Sequence, residues 1–139
     1  MNILLVEDNP GDTRLVREAI QTSRAPSQLY YVPDGDAAMM FLRREGEYAS
    51  MPRPDLMLLD LNLPKKDGRE VLLEVKTDPA LRRLPVIIFT STHTEQEVRH
   101  AYDLGVNAYC VKPNDLDAYL SLVQSILDFW GTRVRLPTG

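Results

Sequence analysis

The chain has 139 residues, 44% of them hydrophobic, which is enough for one domain whose core needs no disulfide or metal staple. Its formal net charge of −4 argues against a phosphate-backbone binder, because nucleic-acid-binding faces are usually basic, so no nucleic acid is expected as a partner. A single cysteine, the lack of a signal-peptide pattern at the start and the lack of any apolar run near 20 residues point to a cytoplasmic protein with no membrane partner.

The first apolar run, ILLV at residues 3–6, has strand length and ends directly on Glu7 and Asp8. Asn9 and Pro10 read as an N-cap followed by proline at the first helical position, and Leu15, Val16, Ala19 and Ile20 line one face of that helix. A second run, residues 29–32, leads to Asp34, which caps a helix carrying Ala38, Phe41 and Leu42 that Gly46 is expected to close. The third run, LMLL at residues 56–59, ends on Asp60; Asp67 with Glu70 then makes a capping-box pattern ahead of Val71, Leu72 and Val75. The fourth, VIIF at residues 86–89, ends on Thr90, after which Thr94 with Glu97 repeats the capping pattern and Gly105 ends the helix. The fifth, residues 108–111, is followed by Lys112. After a cap at Asn114 or Asp115, residues Leu116, Tyr119, Leu120, Val123, Ile126, Leu127 and Trp130 recur at helical spacing.

The runs ILLV, LMLL and VIIF show no polar alternation, which suits strands covered on both faces, as in a parallel sheet. Strands alternating with helices in this way, (βα)5, fold by right-handed crossovers into an open parallel sheet with helices on both sides, an α/β doubly wound architecture. Ligands of such sheets lie outside the carboxyl ends of the strands. Glu7, Asp8, Asp60, Thr90 and Lys112 all converge there.

Each of these residues has an ordinary reading when taken alone: an acid after a strand is usually a loop or cap residue, and a lone lysine is usually solvated. Together they carry more, because three carboxylates about 5 Å apart repel by roughly 3 kcal/mol per pair at an effective dielectric near 20. A cation must offset that. Hard oxygen donors with few neighbours suit Mg²⁺, which typically binds through one or two carboxylates plus a phosphate. With the Lys112 ammonium and the Thr90 hydroxyl beside it, Asp60 reads as a nucleophile for phosphoryl transfer.

In order and spacing, LLVEDNPGD, LLDLNLPKKDG, PVIIFTS and AYCVKP resemble the receiver domain of bacterial two-component response regulators, the CheY-like fold, over residues 2–128. The resemblance implies a flavodoxin-like, five-stranded sheet of order 2-1-3-4-5 and a phosphorelay role in which Asp60 accepts a phosphoryl group from a histidine kinase. It further implies Mg²⁺ held by Asp8, Asp60 and the backbone carbonyl of Asn62, with Glu7, where many relatives carry Asp, reaching the ion through water. Thr90 becomes the switch hydroxyl, Tyr109 the aromatic that reorients, and Lys112 the family's invariant lysine, joined to Pro113 by a cis peptide bond. On phosphorylation Thr90 is expected to move toward the phosphoryl group and Tyr109 into the vacated space, reshaping the face made by the fourth helix, fifth strand and fifth helix. Thr92 and Asn62 stand where relatives tune the loss of the phosphoryl group to water.

A receiver over residues 1–128 leaves a tail, 129–139, with Phe129, Trp130, Val134 and Leu136, and apolar groups in a tail usually find a surface to cover. Folding back on its own domain is one outcome. The other follows from FWGTRVRLP and the long loop EGEYASMPRP, which resemble stand-alone receivers that pair with bacterial phytochrome histidine kinases. In those proteins the tail and the helix-four to helix-five face build a homodimer, so the implied partners are a sensor histidine kinase of the bacteriophytochrome type and a second copy of the chain.

His93 and His100 read as solvated residues, Cys110 as a small buried hydrophobe, and Arg43-Arg44 and Arg82-Arg83 as helix-end charges. The chain therefore reads as a binding module rather than an enzyme, assisting only its own phosphorylation and dephosphorylation. One alternative is a Mg²⁺-dependent aspartyl phosphohydrolase of the haloacid dehalogenase class, against which stands Asn62 where a D-x-D pattern needs an acid. Another is a phosphate sink or pseudo-receiver; the intact set Asp8, Asp60, Thr90 and Lys112 speaks against a pseudo-receiver.

Overall fold

The computed structural model describes residues 1–137. Strands β1 (Asn2–Val6), β2 (Gln28–Val32), β3 (Leu56–Leu59), β4 (Val86–Thr90) and β5 (Ala108–Val111) alternate with helices α1 (Pro10–Gln21), α2 (Gly35–Leu42), α3 (Gly68–Thr77), α4 (Glu95–Asp103) and α5 (Leu116–Asp128). Every strand pairing is parallel, and the order across the sheet is β2-β1-β3-β4-β5, as the resemblance implied.

Successive residues of a strand point to opposite faces, which explains why the central runs are apolar throughout. Leu4, Val6, Met57, Leu59, Val86 and Ile88 pack beneath α2, α3 and α4. Their neighbours Ile3, Leu5, Leu56, Leu58, Ile87 and Phe89 pack beneath α1 and α5. Each such side chain stabilises the fold by roughly 1.5–3 kcal/mol when buried, so β1, β3 and β4 form a rigid platform. The register that pairs Val6 with Leu59 sets the residues just past them, Glu7 and Asp60, side by side. Asp60 N–H donates to the Val6 carbonyl and extends the ladder into the site.

The caps fall largely where the sequence places them. Asn9 accepts from the N–H groups of Gly11 and Asp12, Asp34 from Ala37, Asp67 from Arg69 and Thr94 from Glu97. At α5 the cap is Asp115, not Asn114, accepting from Ala118. The Thr94–Glu97 box does not close reciprocally, because the Glu97 carboxylate turns to the Arg69 guanidinium instead.

Three local expectations need correction. Helix α2 stops at Leu42 and not near Gly46: Arg43 caps it and Arg44 takes a left-handed φ of 54°, which ends the helix before Gly46 opens a short 3₁₀ turn, Gly46–Tyr48. Arg82 and Arg83 lie in the turns after α3 and not on a helix end. Cys110 is half-buried rather than fully buried, because β5 is an edge strand.

Beyond α5 the chain continues without a break into a π-helical turn, Phe129–Arg133, and Gly131 fits closely against Ala25 and Met1. Trp130 packs on the α1/α5 side of the core, Val134 and Leu136 are half-buried, and Phe129 is 52% exposed. The last two residues of the expected tail lie outside the described residues. Among those described, no helix is long and apolar enough to cross a membrane.

Candidate functional site

The carboxyl ends of β1, β3, β4 and β5 bring Glu7, Asp8, Asp60, Thr90 and Lys112 together. Asp60 sits immediately past Leu59 and is buried, and both of its oxygens are occupied. Oδ1 accepts from the Thr90 hydroxyl at 2.7 Å and from the Asn62 N–H at 3.1 Å. Oδ2 accepts from the Lys112 ammonium at 3.0 Å. Burial alone would raise the Asp60 pKa, but the neighbouring Glu7 carboxyl, the Thr90 hydroxyl, the Lys112 charge and the Asn62 amide outweigh it and hold the carboxyl below its ordinary range. Asp60 is therefore ionised at neutral pH, as a nucleophile must be.

Lys112 reaches the pocket because its N–H pairs with the Thr90 carbonyl at 2.8 Å, carrying the β4–β5 ladder one residue past the strand. No cis peptide bond occurs among the described residues, so the Lys112–Pro113 bond is trans, the form favoured by about 0.5–1 kcal/mol, contrary to the expectation. The ammonium still reaches Glu7 Oε1 at 2.9 Å and Asp12 Oδ2 at 3.2 Å besides Asp60. Burial opposes its charge, yet its bonds and proximity to Glu7 and Asp60 raise its pKa well above the usual lysine value.

Oxygens of Glu7, Asp8 and Asp60 lie within 4.8 Å of one another, with Asp8 exposed at the mouth. Glu7 is 4% exposed, and its Oε2 has no hydrogen-bond partner. Burial, then the adjoining Asp60 carboxylate, pushes the Glu7 pKa up to about 9. A buried, partnerless carboxylate oxygen facing a second carboxylate needs either a proton or a cation. This hard-oxygen set fits Mg²⁺.

Glycine is required where the loop after Asp60 folds onto the helices. A Cβ on Gly68, the first residue of α3, would collide with the Asp60 carbonyl and Leu61, and one on Gly35 would collide with the Lys66 backbone. The Gly68 N–H donates to the Leu61 carbonyl at 3.0 Å, closing the loop. Asn62 then reaches across to β4–α4, its side-chain amide donating to Thr92 Oγ1 at 2.9 Å. Tyr109 meets the same loop, donating its hydroxyl to the Thr92 carbonyl at 2.5 Å. His93 and His100 are exposed and outside the cluster.

Two residues of the site escape a reading of the sequence. Asp12, in the first turn of α1, pairs with Lys112 and accepts the Tyr119 hydroxyl at 2.6 Å, although Tyr119 lies 107 positions away on α5. A phenol at a core position of α5 demands a buried acceptor, and that demand was the available signal for the pair. Beside Glu7 and Asp8 an open cleft of about 470 Å³, bordered by Thr13, Arg14, Arg17 and Tyr31, leads from solvent toward the acids.

Comparison with known proteins gives a consistent picture. The family model described as the response regulator receiver domain matches residues 3–124. The chain is 51% identical over 137 residues to response regulator Rcp1 of Synechocystis sp., covering 99% of this chain and 93% of that protein. It superposes with a TM-score of 0.94 and 50% identity on the phosphorylated cyanobacterial phytochrome response regulator RcpA, covering 99% of this chain and 98% of the other. The Mn²⁺-bound form of Rcp1 gives the same TM-score and identity, with 99% of each chain covered.

Proposed function

The chain belongs to the response regulator receiver domain family, and from that premise we propose that Asp60 is its phosphoacceptor, charged by a sensor histidine kinase of the phytochrome type. The observation that carries the proposal is the division of labour at Asp60: the Thr90 hydroxyl holds one carboxylate oxygen and the Lys112 ammonium the other. In the transfer an Asp60 oxygen forms a bond to phosphorus while the donor's bond to phosphorus breaks, its electron pair leaving with the donor imidazole. Lys112 and Thr90 are each one short displacement from a phosphoryl oxygen and stabilise the charge there. Attack by water on the resulting acyl phosphate returns the carboxylate and releases inorganic phosphate.

Asp8, Asp60 and the Asn62 carbonyl would hold Mg²⁺, with Glu7 engaged through water; the partnerless Glu7 Oε2 and the clustered carboxylates support this set. When bound, the ion supplies charge neutralisation at the phosphoryl oxygens. Thr90 leaving Asp60 Oδ1 for the phosphoryl group, and Tyr109 leaving the Thr92 carbonyl, constitute the switch. Its output is a contact face, because Tyr102 on α4, Val111 on β5, Leu116 on α5 and Phe129 in the tail are exposed apolar groups on consecutive elements of the chain. A second copy of the chain, in the cytoplasm, is the proposed occupant, with residues 129–139 as the extension of a receiver over 1–128 and Phe129 the tail residue most available to it; Trp130 packs edge-on against Phe129, and Val134 and Leu136 are half-buried. The chain acts on no metabolite beyond its own phosphorylation and dephosphorylation.

Intact mass after incubation with acetyl phosphate and Mg²⁺ tests the site. One phosphoryl adduct is expected on the wild type and none on Asp60→Asn; an adduct that survives the substitution refutes the assignment. Sedimentation velocity of the wild type and Phe129→Asp, with and without beryllofluoride, tests the dimer. Identical, monomeric profiles in every condition refute it.

A further inference from the structure

The Lys112 ammonium has three acidic partners: it donates to Glu7 Oε1 and Asp60 Oδ2 and forms an ion pair with Asp12 Oδ2 at 3.2 Å. Two of these partners belong to the acidic set assigned above. The third, Asp12, belongs to α1 and is itself held: its Oδ1 takes the hydroxyl of Tyr119, which is 4% exposed on α5. Asp12 thus joins the ammonium to α5 through its two oxygens. The ring of Phe89 completes the arrangement, packing edge-on against Tyr119 at 5.1 Å between centroids while Lys112 lies 5.9 Å above it.

From this geometry, and resting on the reading of Asp60 as the phosphoacceptor, we infer that Asp12 and Tyr119 are positioning residues for Lys112 that tie the phosphorylation site directly to α5. Once Asp60 is phosphorylated, the Lys112 hydrogen that pointed to Asp60 Oδ2 turns to a phosphoryl oxygen, and Asp12 is the anchor that keeps the ammonium within reach. The tilt of Lys112 is passed through the Asp12 carboxylate to the Tyr119 hydroxyl, so α5 responds without any movement of Thr90 or Tyr109. This route reaches the exposed α5 face from beneath, whereas the Thr90–Tyr109 route reaches it across β4 and β5. Asp12 and Tyr119 touch no phosphoryl atom, so neither is a catalytic residue.

The test uses the full chain with Mg²⁺. Adduct formation from acetyl phosphate is timed by intact mass for the wild type, Asp12→Asn, Tyr119→Phe, the double variant and Asp60→Asn. Amide spectra are recorded with and without beryllofluoride. Tyr119→Phe keeps the ring on Phe89 and removes one hydroxyl, so it folds as the wild type does, which thermal unfolding verifies. Adduct formation is expected to slow on the order of tenfold in Asp12→Asn, the scale of a loosened positioning group, and less in Tyr119→Phe. The double variant is expected to match Asp12→Asn, since two members of one chain of contacts are not additive. Beryllofluoride should shift α5 amides in the wild type but not in Tyr119→Phe, with amides around Thr90 and Tyr109 shifting in both. A Tyr119→Phe protein that reacts at the wild-type rate with a wild-type α5 response overturns the inference alone, as does a double variant whose losses multiply. Absence of an adduct on the wild type, or its persistence in Asp60→Asn, overturns the Asp60 reading and this inference with it.

Discussion

Replacing Glu7 by Gln tests the electrostatics of the resting site in a single substitution. Glu7 is buried beside Asp60, and its pKa rises from 4.5 to about 9, first by burial and then by that neighbour. A carboxyl whose folded pKa lies above its unfolded one binds more protons in the folded state. Its burden on stability is therefore absent below about pH 4.5 and grows as pH rises toward the folded value. Four pKa units at 1.36 kcal/mol each set a ceiling of roughly 5 kcal/mol near pH 8.5. Gln keeps the size, offers an oxygen to Lys112 and an N–H to Asp60, and does not titrate. Relaxation around the site is expected to leave about half the ceiling, which at about 4 °C per kcal/mol amounts to about 10 °C. In EDTA, Glu7→Gln should unfold at the wild-type temperature near about pH 5 and about 10 °C above it near about pH 8.5. Added Mg²⁺ should narrow the alkaline gap by binding only the folded wild-type site. Parallel unfolding curves across this range, or a gap that widens toward acid, would refute the reasoning.

Gly68→Ala forces a methyl group into the Asp60 and Leu61 backbone, an overpacking that costs about 1–3 kcal/mol, and it should slow phosphorylation because it displaces the proposed phosphoacceptor; unchanged thermal stability would sink this reading of the loop. Arg69 binds Glu97 through two hydrogen bonds of 2.8 Å and holds the Glu97 pKa below its ordinary value, so the pair contributes fully at neutral pH and is lost as pH falls through the folded value. A double-mutant cycle of Arg69→Gln and Glu97→Gln should give about 1 kcal/mol of coupling at neutral pH, falling as acid protonates Glu97. Coupling that does not change with pH would mean the contact is packing and not charge.

Periodicity and strand-end chemistry made most of the architecture legible. Strand boundaries agree to within a residue, because continuous apolar runs that end on polar groups leave little latitude. The five acid, hydroxyl and ammonium groups were legible for the same reason: each stands at or just past the carboxyl end of a strand, and parallel strands end on one edge. What stayed hidden depends on contacts between distant segments. Asp12 is one acid among 20 acidic residues in the chain, and only the packing of α1 against α5 brings it under Tyr119. Glu97 looked like half of a capping box, and nothing local shows that the Arg69 side chain, 28 residues earlier, competes for it. The end of α2 was misplaced because Arg44 rather than a glycine adopts the left-handed conformation.

The fold separates what stabilises it from what it holds ready. Two apolar layers, above and below β1, β3 and β4, carry the stability, and residues 7 and 60 lie just beyond both. Four carboxyl groups, those of Glu7, Asp8, Asp12 and Asp60, crowd the outer zone around a single ammonium, an arrangement that raises the energy of the resting state locally without reaching the core. A cation or a phosphoryl group redistributes those contacts and recovers part of the withheld energy. The recovered energy is what the helices on either side can use. Because Lys112 pairs with Asp12 on α1, while Thr90 bonds Asp60 and Tyr109 bonds the Thr92 carbonyl in the β4–α4 loop, the proposed phosphorylation of Asp60 would act on both faces of the sheet at once. A strand-end acid with only solvated neighbours would have no such contacts to redistribute, and a phosphoryl group placed on it would pass nothing on.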